Sequence, residues 1–268
     1  MGLSKKLRAF WLKRVIIPGL NRELQRQGIH LYRYMPDVDR LVPIPQFRFG
    51  HLDPRSKARY ESDVWYRALS ERIPRSEVAI DVGANQGYTS AWLAGWADRV
   101  LAFEPDPDNA ALAREQIRIR QLTNVELIES AVSDHEGSAT LHVKPKVGHH
   151  SLADIGASET IGRVDVPVTS LDVACQSRGI ERVGFLKVDV EGFEPEVFRG
   201  AQDLLAARAI DRILFEYSPR FYVDRGLDPG APFPLLAEHG YRFETIHGEA
   251  LDPSTLDAQQ QIDVIALP

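Results

Sequence analysis

The amino-acid sequence predicts an α/β fold in which helices cover both faces of one mostly parallel β-sheet. Strand-like apolar runs alternate with helical stretches along most of the chain, which is the pattern of such a sheet. The run "VAIDV" (78 to 82) passes directly into a turn that contains two glycines and then into a helix. The next run, "RVLAFE" (99 to 104), ends in an acid. In open α/β sheets, such strand ends form the ligand-binding edge.

The predicted strands have the length and composition of buried sheet strands, and most of the gaps between them are helical in pattern. They are residues 78–82, 99–104, 124–130, 183–190, 212–217, 241–246 and 261–267. Two further runs, "ATLHV" (139–143) and "RVDVPVT" (163–169), flank a loop rich in Gly, His and Ser. We interpret these two runs as an added hairpin outside the main sheet.

The composition excludes several classes of protein. With 268 residues, 44% hydrophobic and 26% charged, and a net charge of −6, the chain resembles an ordinary soluble protein. No run approaches the ~18 apolar residues of a membrane span. The single cysteine, Cys175, excludes an internal disulfide, and the N-terminus lacks the pattern of a secretory signal. These features favour a cytoplasmic protein.

The N-terminal segment differs from the rest of the chain in charge. Residues 1–33 carry eight Lys or Arg against one acid, Glu23, whereas the remaining chain is acidic. Within residues 1–17 apolar side chains recur at helical spacing, as in a basic amphipathic helix on the inner membrane surface. The same pattern also suits a helix that packs on its own domain. The acidic body argues against a nucleic-acid partner. We therefore predict a domain of residues 60–268 preceded by an extension, residues 1–59, formed by this helix and an extended, proline-containing cover.

The glycine turn after the first strand carries the first candidate site residues. Asp81 ends the strand, Gly83 allows close approach to the backbone, Asn85 tolerates positive φ, and Gly87 permits close strand-to-helix contact. The spacing matches neither GxGxxG nor a P-loop. Glu104, at the end of the second strand, suits a ribose diol, and Asp106 is expected to cap the following helix. Together these features imply an adenosine-containing cofactor.

The ordered set of motifs resembles the FkbM-type family of class I S-adenosylmethionine (SAM)-dependent methyltransferases over roughly residues 60–266. The motifs are "IDVGANQGYTS", "VLAFEPDPDN", "NVELIESAVSDHEGSATL", "VPVTSLD", "FLKVDVEGFEPEVFRG" and "ILFEYSPRFY...LLAEHGYRF". The resemblance implies a Rossmann-like class I methyltransferase fold with a seven-stranded sheet and an antiparallel last strand. It implies SAM as cofactor, with the donor held by Asp81, Gly83, Asn85 and Gly87 around methionine, Glu104 at ribose, and Ser130 with Ala131 at adenine.

Methyl transfer to an alcohol needs a group that removes the hydroxyl proton, or a metal that acidifies it. In "FLKVDVEGFEPE", Lys187, Asp189 and Glu191 alternate, so strand periodicity predicts that they share one face. We expect Asp189 nearest the reacting centre, Glu191 as a second acid, and Lys187 holding their geometry. Asp189 and Glu191 also suit Mg²⁺. A purely structural alternative pairs Lys187 with Asp189 and uses Glu191 and Glu194 at a helix N-terminus.

The loop of residues 144–163 has the length and irregularity of a lid, and His149 and His150 within it are candidate bases or substrate contacts. Glu216 ends another predicted strand and is a further candidate substrate contact.

The predicted activity is O-methylation of a hydroxyl on a sugar, glycolipid or other natural-product intermediate. The alternative is a non-catalytic member of the same fold that binds SAM or a partner while its basic N-terminus lies on a membrane. A nucleic-acid N-methyltransferase should carry a polar-Pro-Pro-aromatic loop where this chain has "DVEG".

The N-terminal segment generates a separate prediction. Deletion of residues 1–17 should weaken binding to anionic vesicles in a sedimentation assay, and added salt should weaken binding of the intact chain, because exposed cations are screened over about 8 to 10 Å. An intact chain that ignores anionic vesicles at low salt would instead support packing of the helix on its own domain.

Overall fold

The computed structural model describes residues 32–35, 40–43, 64–144, 151–153, 160–257 and 260–268. The chain divides into two compact units, Met1–Ser62 and Asp63–Pro268. In the first unit, β1 (Tyr32–Met35) and β2 (Arg40–Pro43) form an antiparallel pair. The amphipathic helix predicted over residues 1–17 lies outside the described residues. Among the helices that are described, none has the length and apolar character to cross a bilayer.

The second unit alternates strands and helices, as the sequence predicts. Its strands are β3 (Ser76–Val82), β4 (Ala97–Phe103), β5 (Val125–Ile128), β6 (Ala131–Val132), β7 (Gly137–Val143), β8 (Gly162–Thr169), β9 (Phe185–Val188), β10 (Ile213–Tyr217), β11 (Arg242–Thr245) and β12 (Ile262–Leu267). Its α-helices are α1 (Val64–Ser70), α2 (Tyr88–Leu93), α3 (Pro107–Ile119), α4 (Leu171–Gln176), α5 (Glu194–Arg199), α6 (Gln202–Ala206), α7 (Pro219–Asp224) and α8 (Pro232–Ala237). A 3₁₀ turn spans Pro253–Thr255.

Seven strands form the main sheet, in the order β11-β12-β10-β9-β3-β4-β5. The pairs β10/β9, β9/β3, β3/β4 and β4/β5 are parallel, whereas β12 is antiparallel to both β10 and β11. This confirms the predicted seven-stranded sheet with an antiparallel last strand. The chain builds outward from β3 to β5 and then returns to place β9 on the other side of β3. The order of strands therefore reverses at β3 and β9, which is where open sheets bind ligands.

The predicted added hairpin is also present, with one more strand than expected. β7 and β8 pair antiparallel, and the two-residue β6 pairs parallel with β8. A small core of Ala131, Leu141, Val166 and Val168 lies within this three-stranded sheet. The sequence does not predict β6, which directly follows the predicted strand 124–130, because two residues are too few for a periodic pattern.

The central strands read as continuous apolar runs because helices bury both faces of the sheet. Four of their side chains are 0% exposed: Ile80, Leu101, Leu186 and Phe215. Aromatic rings extend this core between the sheet and the C-terminal helices, with centroid separations of 5.4 Å for Phe198/Phe215 and 4.9 Å for Phe233/Phe243. A rigid sheet of this kind holds the strand ends at fixed positions.

Two glycines of the turn after β3 are required by close backbone approaches. Gly83 has φ +81, and a Cβ atom there would lie 1.8 Å from the carbonyl oxygen of Asp189. Gly87 has φ +78, and its Cβ would lie 3.1 Å from Ala113 Cα on α3. At Gly83 the sequence suggested approach of a ligand, but the approaching group is the protein's own backbone. At Gly87 it suggested strand-to-helix contact, but the contact is between helices.

Gly83→Ala should therefore destabilise the fold strongly, because the methyl group would force β3 and the turn after β9 apart. Gly179→Ala is the matched control, since Gly179 also has positive φ, +64, but nothing lies within 4 Å of its Cβ position. We expect a loss of about 1 to 2 kcal/mol for Gly179→Ala and at least about 3 kcal/mol for Gly83→Ala in urea unfolding. Equal losses would show that only backbone strain matters.

Candidate active site

A cleft opens at the carboxyl ends of β3, β4 and β9, with an empty volume of about 640 Å³ that includes the part open to solvent. Gly83 and Asn85 contribute from the turn after β3, and Glu104 contributes from the end of β4. The opposite wall comes from residues 189–191 after β9. The cleft thus lies at the position where the strand order reverses.

Glu104 is held rigidly at one side of this cleft. Its Oε2 accepts a hydrogen bond from the Asn85 backbone N–H (2.7 Å), and its Oε1 accepts one from the Asp106 N–H (2.9 Å). Asn85 adopts the expected left-handed conformation, φ 52, which directs its N–H toward the carboxylate. Burial raises the pKa of Glu104 to about 7, although the two amide donors oppose the shift. A proton can therefore bind this carboxylate near neutral pH.

Two amide side chains beside Glu104 have buried oxygens with no hydrogen-bond partner among the described residues. They are Asn85 Oδ1 and Asn109 Oδ1, and both residues line the cleft. Unsatisfied buried acceptors are uncommon in proteins and call for a partner. The sequence analysis missed Asn109, which stands in the first turn of α3. Its backbone N–H donates to Asp106 Oδ1 (2.8 Å), which confirms Asp106 as the helix cap.

Ser130, which lies between β5 and β6, and Ala131, the first residue of β6, also line this cleft. The Ser130 hydroxyl donates to the carbonyl oxygens of Ala131 and Pro167, each at 3.0 Å. These bonds tie the wall of the cleft to β8. The backbone at this point is therefore fixed by the added sheet.

Lys187 is buried beneath the cleft between two aspartates. Its Nζ lies 3.1 Å from Asp189 Oδ2 and 3.4 Å from Asp81 Oδ1. Asp81 is fully buried, and its Oδ2 accepts a hydrogen bond from Ser90 Oγ (2.6 Å). Burial by itself would lower the pKa of Lys187, but the charges of Asp189 and Asp81 outweigh burial and raise it. The lysine therefore stays charged and links β3 to the end of β9.

The positions of Asp81 and Gly87 differ from those of the other predicted donor residues. Neither belongs to the described residues that line the cleft, whereas Gly83, Asn85, Glu104, Ser130 and Ala131 do. Asp81 is instead 0% exposed, where it pairs with Lys187 and accepts the hydrogen bond from Ser90 on α2.

Three carboxylates converge beside the cleft, and two of them, Asp189 and Glu191, line it. Asp189, Glu191 and Glu216 each place one oxygen within 4.8 Å of the others. Glu216 accepts hydrogen bonds from Gln261 Nε2 (2.7 Å) and Ser218 Oγ (3.3 Å). Burial, and then the negative charge of Asp189, raise the pKa of Glu216. The sequence identified each acid separately but not that the three converge.

Glu191 reaches this cluster by a different route from the one that strand periodicity predicted. β9 ends at Val188, so the alternation of side chains does not extend to Glu191. Glu191 has φ +53 and Gly192 has φ +94, so two successive left-handed residues turn the chain back toward the cleft. Lys187 contacts Asp189 and Asp81. Its pairing with Asp189 is the contact expected if these residues have a purely structural role. Asp189 nevertheless also lines the cleft.

The added hairpin contributes a further wall. His149 and His150 lie outside the described residues, but Ser151 and Leu152, which follow them, line the cleft. Ser151 Oγ donates to the Glu191 carbonyl oxygen (3.1 Å). Sequence reasoning did not single out these two residues; their place within the irregular loop of residues 144–163 was the available signal.

The strand order, the antiparallel last strand and the cleft at the reversal point are those of the Rossmann-like fold of class I methyltransferases. The family model for the methyltransferase FkbM domain matches residues 81–243, so the chain belongs to the FkbM methyltransferase family. It is therefore a SAM-dependent methyltransferase, as its resemblance to the family implied.

Named relatives show the range of proteins to which the chain is similar. It is 29% identical over 182 residues to the hexuronic acid methyltransferase AglP of Haloferax volcanii, covering 67% of this chain and 69% of that protein. It is 27% identical over 175 residues to the 2-O-methyltransferase NoeI of Sinorhizobium fredii, covering 59% and 70%. A crystal structure of a methyltransferase FkbM from Methylobacillus flagellatus aligns over 94% of this chain and 70% of that chain. The two chains are 14% identical, with a TM-score of 0.46.

Lys187→Met should destabilise the protein by about 3 to 5 kcal/mol, because it leaves Asp81 buried without its counter-charge. Arg182→Gln is the control, since Arg182 forms an exposed pair with Asp211 and should cost about 1 kcal/mol or less. Adding Asp81→Asn to Lys187→Met should recover part of the loss in urea unfolding. A loss below about 1 kcal/mol for Lys187→Met would contradict this view of the ion pairs.

Proposed function

We propose that this chain transfers the methyl group of SAM to a hydroxyl of a sugar or of a sugar-containing acceptor such as a glycolipid. The observation that carries the proposal is the convergence of Asp189, Glu191 and Glu216 beside the cleft. Carboxylates accept hydrogen bonds from alcohols and can take their protons. The names of two relatives, a hexuronic acid methyltransferase and a 2-O-methyltransferase, support a sugar hydroxyl as acceptor.

The donor half of the cleft fits SAM in its chemistry. Glu104 would accept hydrogen bonds from the ribose hydroxyls, and Ser130 with Ala131 would border adenine. Gly83 and Asn85 would lie beside the methionine part. The unpartnered oxygens Asn85 Oδ1 and Asn109 Oδ1 offer acceptors for the donor's hydroxyl or ammonium hydrogens. SAM supplies a methyl group activated on a positively charged sulfur.

The acceptor half of the cleft would hold the sugar hydroxyl against the carboxylates. Asp189 would accept the hydroxyl proton while the oxygen attacks the methyl carbon. The transfer would form the O–CH₃ bond and break the S–CH₃ bond, with the bonding electron pair staying on sulfur and S-adenosylhomocysteine as the second product. Lys187, paired with Asp189, would fix that carboxylate in place. Most of the rate gain would come from alignment, since no covalent enzyme intermediate is needed.

Glu216 is the second candidate for the base, and its raised pKa favours it. A carboxylate whose burial and neighbouring charge raise its pKa holds a transferred proton more readily. Its bonds from Gln261 and Ser218 hold it within 4.8 Å of the other two acids. Mg²⁺ held by oxygens of these carboxylates is the remaining alternative, in which the metal rather than a base would acidify the hydroxyl.

The direct test of this function uses the full chain, isotopically methyl-labelled SAM and a panel of methyl glycosides of glucose, galactose, mannose, fucose and glucuronic acid. We expect label in at least one glycoside. Mass spectrometry would then show which hydroxyl group of the sugar has become a methyl ether. Binding of S-adenosylhomocysteine without transfer to any glycoside or glycolipid would favour the non-catalytic alternative.

Asp189→Asn tests the base directly. The amide keeps the size of the side chain but cannot take a proton, so turnover should fall by at least ~10²-fold while SAM affinity changes little. Parallel assays with a chelator and with added Mg²⁺ separate the two roles, because a metal mechanism requires loss on chelation and recovery with metal. Near-parent turnover by a folded Asn variant, together with a large loss in Glu216→Gln, would assign the base to Glu216.

Glu104 predicts a pH dependence of donor binding. The ribose hydroxyls donate to the ionised carboxylate, whose pKa is about 7 in the free protein, so binding should weaken as the pH falls. A group with this pKa is mostly ionised at pH 8 and mostly protonated at pH 6, which predicts roughly a tenfold rise in the Kd for SAM.

Glu104→Gln should weaken SAM binding by roughly 1.5 to 3 kcal/mol and remove that pH dependence, as measured by calorimetry. Glu129→Gln, which removes an exposed carboxylate paired with Arg114, should leave both unchanged. A parent Kd that is flat between pH 8 and pH 6 would contradict the proposed ribose contact.

A further inference from the structure

One wall of the cleft is a turn whose backbone conformation is intrinsically unfavourable. This turn, residues 189–193, joins β9 to α5 and places Asp189, Val190, Glu191 and Phe193 on the cleft. Glu191 is a non-glycine residue at φ +53, followed by Gly192 at φ +94. Such a conformation persists only where surrounding groups hold it. The groups that hold it are therefore part of the machinery that shapes the cleft.

The N–H groups of the turn are bound from behind by the carboxylate of Glu194. Glu194 Oε1 accepts hydrogen bonds from Val190 N–H (3.1 Å) and Gly192 N–H (3.4 Å). Its Oε2 accepts one from the hydroxyl of Tyr222 on α7 (2.9 Å). Glu194 is 1% and Tyr222 0% exposed, so water does not replace these bonds. Tyr222 thus fixes the carboxylate that fixes the turn.

Arg225, the residue that ends α7, binds the same turn from its carbonyl side. Its Nη1 donates to the Gly192 carbonyl oxygen, and its guanidinium lies 3.7 Å from the ring centroid of Phe193. Both of its terminal nitrogens also donate to Glu196, over 2.9 and 2.7 Å. The planar fork of arginine allows stacking and bidentate pairing at once, which lysine cannot reproduce.

Helix α7 also touches the remaining acid of the cluster. Ser218, which precedes its first residue, donates to Glu216 Oε2 (3.3 Å). The two ends of α7 therefore contact Glu216 on one side and the 189–193 turn on the other. Among the described residues, α7 itself adds none to the lining of the cleft. Its contacts therefore link Glu216 to the turn that carries Asp189 and Glu191, the two acids that line the cleft.

We propose that Tyr222 and Arg225 are positioning residues, through which α7 sets the 189–193 turn so that Asp189 and Glu191 face the methyl donor and the acceptor hydroxyl. This inference rests on the proposed function, because it assigns the acids of the turn to the acceptor. A displacement of a reacting group by about 1 Å can cost roughly 10²-fold in rate. Loss of either contact should therefore slow turnover much more than it weakens SAM binding.

Three variants test the proposal, with a fourth as matched control. Tyr222→Phe removes only the hydroxyl, Arg225→Gln removes the guanidinium, and Arg225→Lys keeps the charge but not the fork. Arg199→Gln is the control, because Arg199 pairs with the same Glu196 (2.6 Å) without a described contact to the turn. The kinetic measurements are kcat and KM with a methyl glycoside that the parent protein accepts as substrate. The other measurements are the Kd for S-adenosylhomocysteine, the melting temperature, and amide hydrogen exchange of the 189–193 peptide.

We expect Tyr222→Phe and both Arg225 variants to lower kcat by about 10- to 100-fold, with the Kd for S-adenosylhomocysteine within about twofold of the parent. Hydrogen exchange at Val190 and Gly192 should accelerate in these variants and stay at the parent rate in Arg199→Gln. Parent-like kcat and exchange in folded Tyr222→Phe would overturn the proposal, as would an equal loss of kcat in Arg199→Gln and Arg225→Gln. If the parent methylates no glycoside, the proposed function fails, while the exchange comparison still decides whether α7 holds the turn.

Discussion

The buried ion pairs of Lys187 with Asp81 and Asp189 are the interaction on which the site depends. A lysine inside a sheet that helices cover on both faces is costly unless opposite charges surround it. Asp81 at the end of β3 and Asp189 just beyond β9 supply those charges from two neighbouring strands. The same pair of strands marks the reversal of strand order, so the ion pairs lie at the point where the cleft opens.

That arrangement demands unusually close contact between the two backbones, and Gly83 makes the contact possible. The Asp189 carbonyl occupies the space that a Cβ of residue 83 would need. Asp189 can therefore reach both Lys187 and the cleft only because the turn after β3 has no side chain at this position. The glycine that the sequence suggested for a ligand thus serves first to seat a neighbouring strand end, and the cleft is shaped as a consequence.

The two halves of the cleft are built by different means. The half that we propose for the donor rests on strand ends and on backbone N–H groups that orient Glu104, so it inherits the rigidity of the sheet. The half that we propose for the acceptor rests on the 189–193 turn, the added hairpin and Glu216, which loops and α7 hold together. A scaffold with a rigid sheet on one side and loops on the other would allow the acceptor to change while the donor stays the same.

The sequence by itself determined the order of the elements, the antiparallel last strand through its resemblance to the family, the hairpin, the acid at the end of β4 and the cap at Asp106. Apolar runs, glycine turns and capping residues are local patterns, so each can be recognised within one short segment of the sequence. Only the tertiary structure decided that Asp81 lies beneath the cleft, that Asn109 lines it, that Glu216 joins Asp189 and Glu191, and that Tyr222 and Arg225 hold the turn. Each of those facts is a contact between segments distant in the chain, and its geometry depends on packing distances and on left-handed residues that no periodicity encodes.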